Sequence, residues 1–328
     1  MNVVISGTAF TVPEGIVSNK DVVKRINTSE QFILERTGVQ TRRHVTEDQS
    51  LKSLMVPCCA QAISSAGLDP KDIDMLIVNT LSPDHHDPSQ ACLIQPLLHL
   101  RDIPVMDIRA QCSGLIYGVD IARQFILSRK CKHILVACGE ILSKRMDHSD
   151  EGRNLSILLG DGAGAVVLSA CEESSYGIID LLTGADGSYY KLLWTESPGS
   201  ANKIFNGDKN ACTEFRMNGR PMFDHAVEKI TAVCRQILQR NHLLLSDIDI
   251  IIPHQPNLRI LDAVRERLSI PESKMWINVY KYGNMASACL PIALSEYMQS
   301  TVNLTNKLCL ILGYGSGATW GAILYKFQ

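Results

Sequence analysis

Short apolar runs punctuate the chain, and between them apolar positions recur at helical spacing. Met75–Val78 in DIDMLIVNT, Val105–Ile108, Ile134–Ala137, Ala165–Ser169, Ile250–Ile252 and Leu308–Leu312 read as buried strands, and Trp276–Val279 as strand-like. Leu51–Ala66, Leu115–Ser128, Met222–Arg240 and Leu258–Leu268 carry the 3.6-residue period of helices. Strands alternating with helices predict an α/β architecture with largely buried sheets.

The pattern also repeats. DPKDIDMLIVNT (69–80) is echoed by LLSDIDIIIPHQ (244–255), roughly 175 residues later, and LLGDGAGAVVLS (158–169) by ILGYGSGATWGAIL (311–324). Matched segments in the same order predict a duplicated α/β unit, with chance similarity among apolar strands as the alternative. No linker divides the halves, so they are expected to pack as one body, 1–172 and 173–328, with the seam near Cys171–Gly177. GDGAGA loosely resembles a dinucleotide fingerprint, but that motif needs a helix after the glycines. Here AVVLS and ATWGAILYKF follow, so both glycine stretches are predicted to be tight turns between strands.

Composition adds mainly exclusions. The 328 residues are 45% hydrophobic and 20% charged with net charge −2, which offers no electrostatic reason for nucleic-acid binding. No window approaches a membrane span, and MNVVISGTAF has neither the length nor the basic leader of a secretory signal; a cytoplasmic location is expected. Eleven cysteines, an odd number scattered through apolar segments without a CxxC pair, argue against disulfides and structural zinc. Cys138 and Cys309 read as buried structural thiols.

SPDHHDPSQAC (82–92) gathers Asp84, His85, His86, Asp87 and Cys92, but adjacent loop residues point apart and seldom ligate one ion; no metal is expected. Cys112, in VMDIRAQCSGLIYG, stands where a strand gives way to a helix beginning near Ser113–Gly114. A thiol at a helix N-terminus is expected to have a lowered pKa. From that position alone, a nucleophile and a structural cysteine fit equally well. His254 follows the strand of the second repeat, and Asn284 precedes a small-residue helix; both are strand-to-helix junctions, where catalytic groups project.

DIRAQCSG with Cys112, PHQPNLRI with His254, GNMASA with Asn284 and the terminal GYGSGATWG resemble the β-ketoacyl-acyl-carrier-protein synthase III family, as do ERTGV, PSQACLIQ and GDGAGAVVL. The resemblance runs from about residue 5 to the C-terminus and implies a thiolase-like five-layered αβαβα fold made of two duplicated halves. LSPDHHDPSQACLIQPLL and GEILSKRMDHSDEGRNLSILLGDGAG further resemble one branch, which condenses anthraniloyl-CoA with malonyl-CoA for alkylquinolone signals.

By that resemblance Cys112 takes an acyl group from a CoA thioester, and the Cys112 and Ser316 N–H groups form an oxyanion hole. His254 and Asn284 stabilise the enolate of a decarboxylating malonyl thioester, which arrives on CoA or on a carrier protein. Phe32, Arg36, Arg153 and Asn257 contact CoA, Arg259 maps to a carrier-protein docking surface, and Asp87, Asn154 and Ala318 to the acyl pocket and dimer loop. No tightly bound cofactor is implied; a homodimer is. The family usually carries tryptophan where Phe32 stands, and often phenylalanines at Asp87 and near Ala318. Losing the latter two predicts a pocket for a bulky or polar acyl group such as anthraniloyl rather than acetyl.

Cys…His…Asn is also the chain order of papain-like hydrolases, but their local signature C-G-[SA]-C-[WY] is absent. A catalytically idle thiolase-fold scaffold would not need Cys112, His254, Asn284 and Ser316 together. An ester- or amide-forming acyltransferase shares the acyl-cysteine step, and malonyl-dependent loss of CO₂ separates it from a condensing enzyme.

Overall fold

The structure, a computed structural model, describes residues 1–173, 175–196, 199–200 and 215–328. Cys212 lies outside the described residues. Two sheets organise the molecule. The first contains β1 (Asn2–Thr11), β2 (Met75–Asn79), β3 (Val105–Ile108), β4 (His133–Glu140) and β5 (Gly162–Cys171), in the order β1-β5-β4-β2-β3. The second contains β6 (Gly177–Ala185), β7 (Ile250–Pro253), β8 (Leu308–Gly315) and β9 (Thr319–Lys326), in the order β7-β8-β9-β6.

The two sheets are wired alike. In the first, β5 runs antiparallel to β1 and β4, and β4 parallel to β2. In the second, β9 runs antiparallel to β6 and β8, and β8 parallel to β7. Val78 pairs with Ala137 and Pro253 with Leu312, so the DID-strand repeat holds residue for residue across the sheets. The glycine echo needs correcting. Gly162 sits opposite Glu140 and Thr319 opposite Gly315, which makes Gly164–Val167 (GAVV) the counterpart of Gly321–Leu324 (GAIL). Only the second half has the expected tight turn, residues 316–318; in the first half, residues 141–161, including the short helix Arg153–Ser156, join the strands.

Five helices complete the layers: α1 (Leu51–Ser65), α2 (Gly114–Leu127), α3 (Gly219–Arg240), α4 (Leu258–Leu268) and α5 (Cys289–Ser300). Alternation along each strand decides what each face meets. Ile134, Val136 and Cys138 of β4 face the space between the sheets, filled by α2 and α5. Leu135 and Ala137 face α1. Leu310 and Leu312 of β8 face α3 and α4. The stack is α1, first sheet, α2 with α5, second sheet, α3 with α4, and the large central cluster is buried on both sides.

Trp276–Val279 is not a strand. Met275 makes one parallel bridge to Ile251, where β3 pairs with β2 in the first half, and the chain then turns into the short helix Val279–Tyr282. The sequence reading passed over β1 and β6. Small and polar residues, Ser6, Gly7 and Thr8 in one and Thr183 and Gly184 in the other, dilute their apolar signal. Asp84, in the loop that resembled a metal site, accepts from the N–H groups of Leu51 (2.7 Å) and Lys52 (3.1 Å) and so caps α1. Among the described residues, no group of three or more His, Cys, Asp or Glu could hold a metal ion, and no helix is long and apolar enough to cross a membrane.

Candidate active site

Cys112 lies in a 3-10 turn, Gln111–Ser113, between β3 and α2. Asn79, at the end of β2, shapes that turn: its Oδ1 accepts from Ala110 N (2.9 Å) and its Nδ2 donates to Gln111 O (3.2 Å). Gly114 admits the amide, since a Cβ there would lie 2.1 Å from Asn79 Cγ. From the second half, the β8–β9 turn closes on the same place. A Cβ on Gly315 would sit 2.8 Å from Cys112 N, so only glycine allows this approach. Ser113 Oγ is 2.7 Å from Thr319 Oγ1, and both reach Ala110 O, at 2.8 and 3.1 Å.

The thiol is buried, 6% exposed. Burial pushes its pKa well above the ordinary value, and the nearby Cys289 and Glu140 add to this. The expectation of a lowered pKa is therefore reversed: Cys112 sits within a tight turn inside the protein instead of meeting solvent at an open helix end, and desolvation outweighs the helix dipole.

His254 follows β7, its N–H donating to Leu312 O at 2.7 Å. Burial at 2% exposure holds its pKa down to about 3, so the imidazole is neutral, and its Nδ1 has no partner among the described residues. Gln255 locks the turn: its Nε2 donates to Pro253 O (2.9 Å) and Trp276 O (3.0 Å), and its Oε1 accepts from Asn278 N (3.0 Å). Asn284 is anchored by its backbone to Leu158 and Gly160. Its Oδ1 accepts from Ala286 N (2.8 Å), which turns the Nδ2 donor edge outward. The Cys289 thiol lies 3.5 Å from that Oδ1 and 3.8 Å from Gln255 O, bridging the two turns.

Cys112, Asn284 and Ser316 line one cleft of about 1300 Å³ together with Phe32, Arg36, Arg153, Asn154, Asn257 and Arg259. His254 is buried and not part of the lining, although Pro256, two residues on, is. The exposed end holds a clamp: the Arg36 and Arg153 guanidiniums lie 5.4 and 5.3 Å from the Phe32 ring centroid. Around Cys112 the wall is apolar, built from Leu142, Leu155, Leu159 and Ala286 with Phe215 and Met217 packed against them.

Two residues fall elsewhere. Asp87 is exposed and outside the cleft, beside His86, which does line it. Ala318 is 1% exposed and packs in the outer core beneath α3, its backbone paired with Asp186. The sequence reading missed Asn79, Glu140, Gln255 and Ser287. Asn79 had a visible signal, since it occupies in DIDMLIVNT the place of His254 in DIDIIIPHQ.

Paired α/β halves that meet around a buried cysteine, a histidine and an asparagine, at the base of a cleft with a cationic rim, define a thiolase-like acyltransferase. Residues 106–187 match the family model of 3-oxoacyl-[acyl-carrier-protein] synthase III, and residues 238–327 the model of its C-terminal part. The chain is 38% identical to the β-ketoacyl-[acyl-carrier-protein] synthase III of Natranaerobius thermophilus, covering 99% of each. The crystal structure of the 3-oxoacyl-[acyl-carrier-protein] synthase III of Aquifex aeolicus superposes with a TM-score of 0.91 at 36% identity, over 99% of this chain and 100% of that one. The priming β-ketosynthase of the R1128 polyketide pathway superposes equally well, 0.91 at 28% identity, over 99% and 96%. The chain belongs to the 3-oxoacyl-[acyl-carrier-protein] synthase III family and is a condensing acyltransferase. These relatives lend no support to the finer resemblance to the anthraniloyl branch.

Proposed function

We propose that this chain starts an acyl chain by joining an acyl-CoA to a malonyl thioester, as in the initiation of fatty-acid synthesis. The observation that carries the reading is the shared cleft of Cys112, Asn284 and Ser316, rimmed by the Phe32–Arg36–Arg153 clamp, with neutral His254 buried two residues before Pro256 of its lining. Adenine suits an aromatic ring flanked by guanidiniums, and phosphates suit the same cations. Asn257 and exposed Arg259 line the same cleft, and we assign the first to the pantetheine arm and the second to an acidic carrier protein.

In the first half-reaction Cys112 sulfur attacks the thioester carbon, CoA leaves, and the thiol proton passes to the departing sulfur. The Cys112 N–H, which Gly315 approaches closely, and the N–H of the next residue, Ser316, are the proposed donors to the oxyanion. In the second, the malonyl thioester loses CO₂ and its enolate oxygen accepts from His254 and Asn284. A neutral imidazole is the right donor here, because it gives a hydrogen bond without surrendering a proton. The enolate carbon attacks the acyl-cysteine, the β-keto thioester leaves, and Cys112 is regenerated. We propose a homodimer as well, in line with β3 standing at the edge of its sheet.

The test incubates the enzyme with a panel of acyl-CoAs, follows intact mass, then adds malonyl-CoA or malonyl carrier protein and measures CO₂. Acyl adducts absent from Cys112→Ala, followed by malonyl-dependent CO₂ and a β-keto product, support the reading; hydrolysis of the adduct without CO₂ rejects it.

A second reading concerns the acyl group. The chamber beside Cys112 has aliphatic walls with Phe215 alongside. Such walls favour a flat, bulky acyl group such as anthraniloyl, leading to a quinolone precursor. Acetyl-CoA acylating Cys112 far faster than anthraniloyl-CoA eliminates it.

A further inference from the structure

The pairing of the two halves gives each residue around Cys112 a counterpart. The turn Gln111–Ser113 before α2 matches Ala286–Ala288 before α5; Gln111 and Ala286 share a positive φ, 52° and 43°. Cys112 therefore matches Ser287, His254 matches Asn79, and Gly315 matches Glu140, each pair 175 positions apart. The contacts are exchanged in the same way. Gly315, ending β8, abuts the Cys112 turn of the other half, and Glu140, ending β4, accepts a short hydrogen bond from Ser287 Oγ. The molecule thus holds a mirrored copy of its own site, with serine for cysteine, asparagine for histidine and glutamate for glycine.

This copy is sealed. Asn79, Ser287 and Glu140 are each 0% exposed. Its polar groups answer one another: Glu140 accepts from Ser82 Oγ (2.6 Å), Thr80 Oγ1 (3.3 Å), Leu81 N (3.2 Å) and Ser287 Oγ. Ser287 Oγ also lies 3.3 Å from Asn79 O, while the Asn79 side chain shapes the Cys112 turn. On the other side, Ala286 N, next to Ser287, holds the Asn284 amide. One buried carboxyl therefore reaches both the nucleophile and the group that faces the enolate.

We propose that Glu140 and Ser287 are positioning residues for condensation, clamping the Asn284 turn against the Cys112 turn. The inference rests on the condensing role proposed above. The acyl transfer step needs only Cys112 and its oxyanion turn, so it depends less on the clamp than the second step, in which both turns grip one reacting pair. The Glu140 charge also bears on the thiol. The cation of Arg145 and the thiols of Cys138, Cys289 and Cys112 surround it, and Cys112 faces Cys289 and Tyr314 as well. A carboxylate at 140 disfavours a thiolate at 112, so removing the charge favours it.

The test compares Glu140→Gln, which keeps size but not charge, and Ser287→Ala with the native enzyme. Melting temperatures confirm folding; if Glu140→Gln fails to fold, Ser287→Ala decides. Expected are acyl adduct formation at close to the native rate and malonyl-dependent CO₂ release lower by about 10²-fold in kcat at unchanged malonyl KM, the scale of an ångström-sized misplacement. Glu140→Gln should also move the pH profile of Cys112 alkylation by iodoacetamide toward lower pH, which a merely structural residue would not do. Half-reactions falling in proportion, an unaffected kcat, or an alkylation profile that stays or moves upward overturns the inference. Native enzyme that releases no CO₂ rejects the proposed function instead; native turnover with unaffected variants rejects only the clamp.

Discussion

His254 keeps an uncharged ring because almost none of it meets water, and with its pKa near 3 it stays neutral across the working range of most enzymes. Protonation therefore does not remove the hydrogen-bond donor proposed for the enolate as pH falls from 8 to 5, and any acid limb of activity in that window has another origin. His254→Ala and Asn284→Ala should each lower malonyl-dependent CO₂ release by roughly 10²–10³-fold while sparing the acyl adduct, the cost of losing one preorganised donor; intact mass and CO₂ measured on one sample separate the steps. Glu140 behaves in the opposite sense. Burial raises its pKa from 4.5 to about 7. Between those values the unfolded chain has released a proton that the folded protein still holds, so this residue's contribution to stability falls as pH rises from 4.5 through 7. The span corresponds to on the order of 3 kcal/mol. Urea unfolding of native enzyme and Glu140→Gln at pH 5 and pH 8 should show the variant gaining relative to native at the higher pH; a constant difference contradicts the shift.

Among the elements, α1 starts where it does because Asp84 caps it from a loop more than thirty residues away, 2.7 Å from Leu51 N. Asp84→Ala should cost about 1 kcal/mol, the usual value of a lost cap, with little effect on the Cys112 adduct; a melting curve and an adduct assay check both. The β8–β9 turn is less tolerant. Gly315→Ala forces a methyl group to 2.8 Å from Cys112 N, so the turn must retreat and the proposed oxyanion hole open. Adduct formation should fall by at least about tenfold even where the protein melts normally, because the change strikes the geometry of the nucleophile. Helices α1 to α4 were legible to within a few residues, since each has an apolar stripe; α5, buried on nearly every side, has none and was marked only as a small-residue helix after Asn284. Trp276–Val279 was misread because a short apolar run does not say whether a neighbour will pair with it, and here only Met275 finds a partner.

At the scale of the whole molecule, the two halves make the site by exchange: each lends a strand end to the other's turn, and neither holds a complete centre. The double Arg36→Ala, Arg153→Ala variant should raise KM for acyl-CoA while leaving kcat nearly unchanged, because the clamp on Phe32 lies at the exposed end of the cleft, away from Cys112; steady-state kinetics across the acyl-CoA panel measure it. By itself the sequence determined the α/β layering, through strand and helix periods, and the DID-strand repeat, through spacing. It also marked Cys112, Asn284 and Ser316, which the fold brings to one cleft, and His254, buried outside its lining. Only the tertiary structure decided three things. It corrected the glycine echo by four positions, because register comes from hydrogen bonds between strands and not from likeness of letters. It turned a thiol expected to be acidic into one held protonated, because desolvation depends on everything packed around Cys112. It revealed Glu140 and Ser287 as counterparts of Gly315 and Cys112, which chemistry disguises: residues so unlike in side chain become equivalent only when two sheets of the same wiring face each other.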